Sequence, residues 1–146
     1  MNIKPFLVEE WMNEYEVGAK YNIAETCVDS VSLDELFALT GEDKGGFLEE
    51  LCARRLTYGD IFGLPAFKEG ICRLYRDVKP EQVIPTHGAA GANHHLFYSL
   101  VEPGDKVISV LPTYQQLYSI PASLGAQVEL LHLTRESGYL PDPKEL

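Results

Sequence analysis

Residues 106–133, KVISVLPTYQQLYSIPASLGAQVELLHL, decide the fold of this chain. The stretch opens and closes on apolar runs, at residues 106–111 and 127–133, which are typical of buried strands. Residues 114–124 between them predict a helix, with only a few residues on either side of it. A strand, a helix and a second strand in this order predict two parallel strands joined by a right-handed crossover.

The same alternation extends towards the N-terminus. We predict a helix over 65–77, a short strand over 82–86 (QVIPT) and a helix over 88–101, followed by a turn at Pro103-Gly104. The first of these helices is expected to bury one apolar stripe, formed by Phe67, Ile71, Leu74 and Tyr75. Ligands of such sheets bind beyond the carboxyl ends of the strands, so these ends are where we look for a site.

The residues before 57 predict helices without a strand pattern. Residues 7–17 predict an acidic amphipathic helix, residues 21–31 an extended or irregular segment, and residues 46–55 a further helix. Ser32-Leu33-Asp34-Glu35 has the form of a capping box, which opens a short helix closed by Gly41.

Composition excludes several classes of protein. The chain has 146 residues, of which 45% are apolar and 23% charged, as in a soluble globular domain, and its net charge of −10 disfavours nucleic acid and anionic membranes. No apolar run approaches the roughly 20 residues needed to span a bilayer, and residues 1–20 show no secretory signal. Cys27, Cys52 and Cys72 are odd in number and lack CxxC spacing, so we expect reduced thiols and a cytoplasmic protein.

The first candidate site is Thr86-His87-Gly88-Ala89-Ala90-Gly91, where a predicted strand leads into a helix. A helix N-terminus offers unpaired N–H groups and a partial positive charge, and small side chains let a phosphate approach the backbone. The alternative is a small-residue helix start packed closely on a sheet. His87 could touch a ligand there, whereas the adjacent His94 and His95 face different sides of a helix and are poorly placed to chelate one metal.

The second candidate site is Leu111-Pro112-Thr113-Tyr114, at the carboxyl end of the next strand. An aromatic ring in such a loop can lie against a planar ligand, although Tyr114 could also be an ordinary core tyrosine. A phosphate-binding turn after one strand and an aromatic residue after the next together suit a planar heterocycle that carries a phosphate.

These segments resemble the class I/II aminotransferases, the fold-type-I enzymes that depend on pyridoxal 5′-phosphate (PLP). Tyr58–Phe67 (YGDIFGLPAF) resembles the tyrosine loop of that family and the helix start after it. Thr86–Ala92 (THGAAGA) resembles the Thr-Asn-Gly phosphate turn, with His87 in place of the common Asn. Glu102–Val107 (EPGDKV) and Leu111–Tyr114 (LPTY) resemble the Pro-Gly-Asp strand and the Pro-x-aromatic site.

The resemblance implies a fold and a role for each matching residue. It implies an α/β fold with three α/β/α layers and a mostly parallel sheet, in which residues 1–57 form a helical arm or part of a small domain and 58–146 the first part of the PLP-binding domain. The N–H groups of Ala89 and Ala90 would hold the PLP phosphate, Gly88 would allow the turn, and Tyr114 would stack on the pyridine ring. Tyr58 would reach the PLP phosphate of a partner subunit, which implies a homodimer.

The resemblance also implies that this chain is the N-terminal part of a longer enzyme. Family members are more than twice as long, and the lysine that forms a Schiff base with PLP lies further along them. Asp142 and Pro143 have the form of a helix start, and the last strand would leave an apolar edge that favours self-association. We therefore expect the isolated chain to be inactive and to be oligomeric, domain-swapped or prone to aggregate.

Three hypotheses on function follow. The main one is transfer of an amino group between an amino acid and a 2-oxo acid, with no catalytic residue placed in this chain. A second is another PLP reaction on the same fold, by a lyase, decarboxylase or synthase. A third is a non-catalytic module that binds a phosphorylated ligand at the same helix start.

Overall fold

The computed structural model describes residues 3–24, 26–142 and 144. The secondary structure of this part of the chain consists of six α-helices, a single turn of 3₁₀-helix at Pro80–Gln82 and two β-strands. In chain order these are α1 (Leu7–Tyr15), α2 (Leu33–Thr40), α3 (Lys44–Ala53), α4 (Pro65–Cys72), α5 (Gly88–Leu100), β1 (Lys106–Leu111), α6 (Gln116–Ser123) and β2 (Gln127–His132).

The two strands and the helix between them form the centre of the fold. β1 and β2 pair in parallel, from Lys106 opposite Gln127 to Leu111 opposite His132. α6 connects the strands and packs against both of them. Ile120 and Pro121 of α6 are buried, as are Ser109 of β1 and Leu131 of β2. This unit confirms the predicted α/β class with parallel strands.

A glycine closes the connection between α6 and β2. Gly125 has a φ of 96°, which an L-residue rarely adopts, and its carbonyl accepts a hydrogen bond of 2.9 Å from the Gly104 N–H. A Cβ at this position would lie 3.2 Å from the Cβ of Pro103. The turn before β1 and the turn before β2 therefore lie against each other at the amino ends of the strands.

The predicted strand over 82–86 is wrong. Gln82 belongs to the short 3₁₀-helix, and the residues after it run without a ladder partner among the described residues, although Val83 has extended dihedral angles (φ −108°, ψ 123°). A strand needs a neighbour that exchanges backbone hydrogen bonds with it, and Pro85 has no N–H to give. The segment is therefore not part of a sheet among the described residues.

The predicted helix over 65–77 ends early, and its apolar stripe is not buried. α4 stops at Cys72, and turn-like hydrogen bonds follow it, such as the 2.9 Å bond from the Leu74 N–H to the Ile71 carbonyl. Leu74 is 79% exposed, and in the predicted stripe only Ile71 is half-buried. The pattern identified a face that can be buried, but no element in the described part of the chain covers it.

The capping box is confirmed. The Ser32 Oγ accepts from the Glu35 N–H at 3.2 Å, the Glu35 carboxylate accepts from the Ser32 N–H at 2.7 Å, and Gly41 ends α2 with a φ of 71°. α3 begins at Lys44 rather than at residue 46, because the Asp43 carboxylate accepts from the N–H groups of the next turn. α1 ends two residues earlier than predicted, and residues 21–24 and 26–31 are irregular, as expected.

The division of the chain at residues 57 and 58 stays a prediction. The suggested helix start at Asp142-Pro143 falls partly on Pro143, which lies outside the described residues.

Candidate functional site

The start of α5 is an open, backbone-lined turn. Gly88 has a φ of 72°, and the Thr86 hydroxyl donates a hydrogen bond of 3.1 Å to its carbonyl. The first N–H groups of a helix have no acceptor within the helix, and His87, at the N-cap, makes no side-chain bond to them. Ala89 and Ala90 are exposed. The turn therefore presents N–H donors behind small side chains.

The topology brings this turn to the carboxyl end of β1. α5 has 13 residues and β1 has six, so each is about 20 Å long, and only residues 101–105 connect them. The connection is short, and α5 contacts α6, the helix that follows the carboxyl end of β1. The Asn93 side-chain amide donates a hydrogen bond of 3.2 Å to the Gln116 side chain, which ties the first half of α5 to the first residue of α6.

Tyr114 lies in the loop between β1 and α6. Its side chain is 44% exposed, so part of the ring is open to a ligand. The ring packs at right angles against the ring of Phe6, with 4.7 Å between their centroids. The loop thus places an aromatic surface at the same edge of the sheet as the start of α5.

Gln115 connects this loop to the N-terminal segment, and sequence reasoning missed it. Its side-chain amide donates to the Pro5 carbonyl at 2.7 Å, and its side-chain oxygen accepts from the Leu7 N–H at 3.2 Å. More than 100 residues separate the partners along the chain, so no local pattern could have indicated the contact.

A cavity of about 700 Å³ opens between α1, residues 19, 21–24, 26 and 27, and Tyr114. Its wall is mostly apolar and includes aromatic and acidic side chains, among them Trp11, Tyr15, Tyr21, Glu9 and Glu16. The cavity adjoins the Tyr114 ring but not the start of α5.

Tyr58 is not brought to the other candidate residues. Its side chain is 100% exposed, in a loop that turns at Asp60, whose carboxylate accepts from the Phe62 N–H at 2.9 Å. The resemblance assigns Tyr58 to a partner subunit's phosphate, and its role stays a prediction.

The histidines of α5 form ring contacts. His94 stacks on Tyr98 with a centroid distance of 6.0 Å and an angle of 14°, and its ring lies 6.1 Å from that of His95. In the part of the chain that the structure describes, no three histidine, cysteine, aspartate or glutamate side chains form a group that could hold a metal ion. Nor is any described helix long and apolar enough to cross a membrane.

The arrangement fits PLP. A phosphate can accept hydrogen bonds from N–H groups at the start of α5, where a positive helix dipole meets no acidic side chain of the first turn. Apart from Gly88, its chain neighbours and the nearby helix backbone, no described heavy atom lies within 4 Å of the place a Cβ would take on Gly88, so the turn is also open to a bulky ligand. The half-exposed Tyr114 ring offers the surface for the planar part.

Comparison with known proteins assigns the family. The model of the aminotransferase class I and II family matches residues 40–146. A crystal structure of a PLP-dependent aminotransferase from Streptococcus suis 89-1591 is 51% identical, with a TM-score of 0.94, and the match covers 99% of this chain and 39% of that one.

Two curated relatives show how the similarity is distributed. The aspartate/prephenate aminotransferase of Thermus thermophilus is 29% identical over 104 residues, which cover 66% of this chain and 26% of that protein. The capreomycidine synthase of Streptomyces vinaceus is 29% identical over 139 residues, which cover 95% of this chain and 35% of that protein. The chain therefore spans about a quarter to a third of the length of these relatives.

The comparisons support the predicted cofactor, since PLP-dependent aminotransferases are the structures that this chain resembles. The match over residues 40–146 includes the start of α5, Tyr58 and Tyr114, the segments on which the resemblance was based. The chain belongs to the class I and II aminotransferase family.

Proposed function

We propose that the protein is a PLP-dependent aminotransferase that moves an amino group between an amino acid and a 2-oxo acid. This chain would supply the phosphate anchor and the aromatic surface for the cofactor ring. The observation that supports the proposal most is the occurrence of both features at one edge of the sheet. The Asn93–Gln116 hydrogen bond joins the helix that begins at the open turn to the helix that follows the half-exposed Tyr114.

Each residue of this chain has a positional role in the proposal. The N–H groups of Ala89 and Ala90 donate to the phosphate, and Gly88 adopts the left-handed conformation that the turn needs. Tyr114 packs on the pyridine ring and limits its tilt. The chemistry that PLP supplies when bound is withdrawal of electrons from the amino acid's α-carbon.

Lys106 is not the lysine that forms a Schiff base with PLP. Lys106, the lysine within the Pro-Gly-Asp-Lys motif, begins β1, whereas Tyr114 follows the other end of that strand. Five residue steps separate the two ends of β1, or about 17 Å, which exceeds the reach of a lysine side chain. In the family that this chain resembles, the lysine that forms the Schiff base lies further along, so we propose that the 146-residue chain alone does not transaminate.

A homodimer is part of the proposal. Tyr58 is fully exposed, which suits a side chain that reaches the PLP phosphate of a second subunit. The three cysteines lack the spacing of a disulfide framework, which favours a cytoplasmic location.

The test uses the complete natural protein. Apo-protein is titrated with PLP, then reduced with borohydride, and the modified lysine is located by mass spectrometry. Tyr114→Ala should weaken PLP binding and Tyr114→Phe should not, because stacking needs the ring and not the hydroxyl. Failure of the wild-type protein to bind PLP would refute the proposal.

A second reaction class has a specific observation in its favour. The similarity to a capreomycidine synthase extends over 95% of this chain, whereas the aspartate/prephenate aminotransferase matches 66% of it. Product analysis separates the two. Formation of a 2-oxo acid together with a new amino acid supports transamination, and a cyclised, cleaved or decarboxylated product supports another PLP reaction.

A further inference from the structure

We propose that Gln115 and Phe6 are positioning residues that hold the Tyr114 ring in place for PLP, an inference that rests on the proposed function. They connect the N-terminal segment to the loop that carries Tyr114. Neither residue belongs to the motifs that identified the site.

Gln115 forms hydrogen bonds to the backbone on both sides of Phe6. Its amide group donates to the carbonyl of Pro5 at 2.7 Å and accepts from the N–H of Leu7 at 3.2 Å. Leu7 is the first residue of α1, so its N–H has no acceptor within the helix. One side chain therefore satisfies two backbone groups and fixes the residue between them.

The residue fixed in this way packs on Tyr114. The Phe6 and Tyr114 rings meet at 89° with 4.7 Å between centroids, the geometry that aromatic pairs favour. Tyr114 and Gln115 are adjacent in sequence, and the Tyr114 ring and the Gln115 side chain both contact residues 5–7. With Phe6 held, rotation of the Tyr114 ring is restricted on that side.

The contact lies outside the hydrophobic core. Trp11 and Tyr15 of α1 are about half exposed, and the buried residues of the described chain lie in β1, α6 and β2. Loss of the Gln115 contact should therefore affect the position of Tyr114 and of α1 more than it affects global stability.

A consequence is that ligand binding and α1 are coupled. If PLP binds Tyr114 best when Phe6 packs on that ring, then bound PLP must in turn favour the conformation in which the start of α1 contacts Tyr114 and Gln115. PLP should then protect the Leu7 N–H and its neighbours in α1 from hydrogen exchange. A purely structural contact would show no such response to the ligand.

The test measures the PLP dissociation constant of the complete natural apo-protein, together with hydrogen exchange over residues 6–15. Gln115→Met removes both hydrogen bonds at nearly constant size, and Phe6→Leu removes the ring. We expect each to weaken PLP binding by about threefold to tenfold, the range for one or two modest contacts, and to abolish the protection of α1 by PLP.

Two matched variants serve as controls. Phe6→Tyr keeps the ring, and Gln127→Met makes the same substitution on an exposed residue at the start of β2. Both should bind PLP as the wild type does. If Gln115→Met lowers the unfolding midpoint of the apo-protein, the positioning role is tested instead by comparing PLP binding of Phe6→Leu with that of Phe6→Tyr.

The outcomes separate this inference from the proposed function. If Tyr114→Ala weakens PLP binding while Gln115→Met and Phe6→Leu bind like the wild type, the positioning role is refuted and the PLP site stands. Equal losses in Phe6→Leu and Phe6→Tyr would also overturn it. If the wild-type protein binds no PLP, the proposed function itself fails.

Discussion

Replacing Gly88 with alanine should destabilise the protein, whereas replacing Gly70 with alanine should stabilise it. Both glycines have open space around them, since an ideal Cβ at either position has no neighbour within 4 Å. They differ in backbone conformation: Gly88 has a φ of 72°, and Gly70 lies inside α4 without a positive φ. The pair therefore isolates the cost of the left-handed conformation from that of steric overlap.

The magnitude follows from the two backbone conformations. An L-residue in the left-handed region costs roughly 1–2 kcal/mol, and alanine in place of glycine within a helix gains about 0.5–1 kcal/mol. The free energies of unfolding of the two variants should thus differ by about 2 kcal/mol. Gly88→Asn should lose less than Gly88→Ala, because asparagine tolerates this region better.

Urea unfolding followed by circular dichroism measures the effect. With a slope of about 2 kcal/mol per M, the midpoint of Gly88→Ala should fall by about 0.5–1 M and that of Gly70→Ala should rise by about 0.3–0.5 M. If both midpoints move in the same direction, or if Gly88→Ala equals the wild type, the conformational argument is refuted.

Three further predictions concern a helix cap, the core and the sheet edge. Ser32→Ala should fray α2, and so should acid. Backbone and side-chain hydrogen bonds from Ser32 hold the pKa of Glu35 below its usual value, so the cap is complete at neutral pH and is lost as the pH falls through the lowered pKa. Residue-resolved NMR would detect the loss, and an α2 unchanged in both cases would contradict it. Ile120 is 3% exposed, so Ile120→Ala should lower the free energy of unfolding in urea by about 2–5 kcal/mol. Leu130 is 44% exposed, so Leu130→Ala should lower it by about 1 kcal/mol or less. Equal losses in the two variants would refute the assigned core. The isolated chain should self-associate through the sheet edges that β1 and β2 leave open, so a concentration-independent monomer in sedimentation velocity would count against this.

The parts of the fold that the sequence predicted are those with local causes. The apolar run at residues 106–111 forms β1 with the predicted bounds, and the run at 127–133 forms β2, which ends at His132, because turn residues bound short runs of β-branched and aliphatic residues. The capping box of α2 and its closing glycine were also readable, because every atom of those contacts lies within ten residues. Such features need no knowledge of the rest of the chain.

The errors occurred where the outcome depends on a distant neighbour. Val83 is extended, but a strand is defined by a partner, and no strand pairs with residues 83–86 in the described part of the chain. Leu74 belongs to an apolar stripe by its spacing and is nevertheless exposed. The Gln115 contacts are of the same kind, because their partners lie more than 100 residues away.

The acidity of the chain and its proposed anion site are compatible because of where the carboxylates lie. Net charge is −10, and α1 and α2 each carry two acidic residues in the first turn, while Asp43 caps α3 with its own carboxylate. α5, the longest helix described, begins with Gly88 and two alanines and has no acidic residue in its first turn. Because the field of a helix start acts over about one turn, carboxylates at other helix starts do not cancel it. Carboxylates of the chain thus meet three helix dipoles, whereas α5, like α4 and α6, has no acidic residue in its first turn. Among these three, the small residues Gly88, Ala89 and Ala90 leave the start of α5 open to a phosphate.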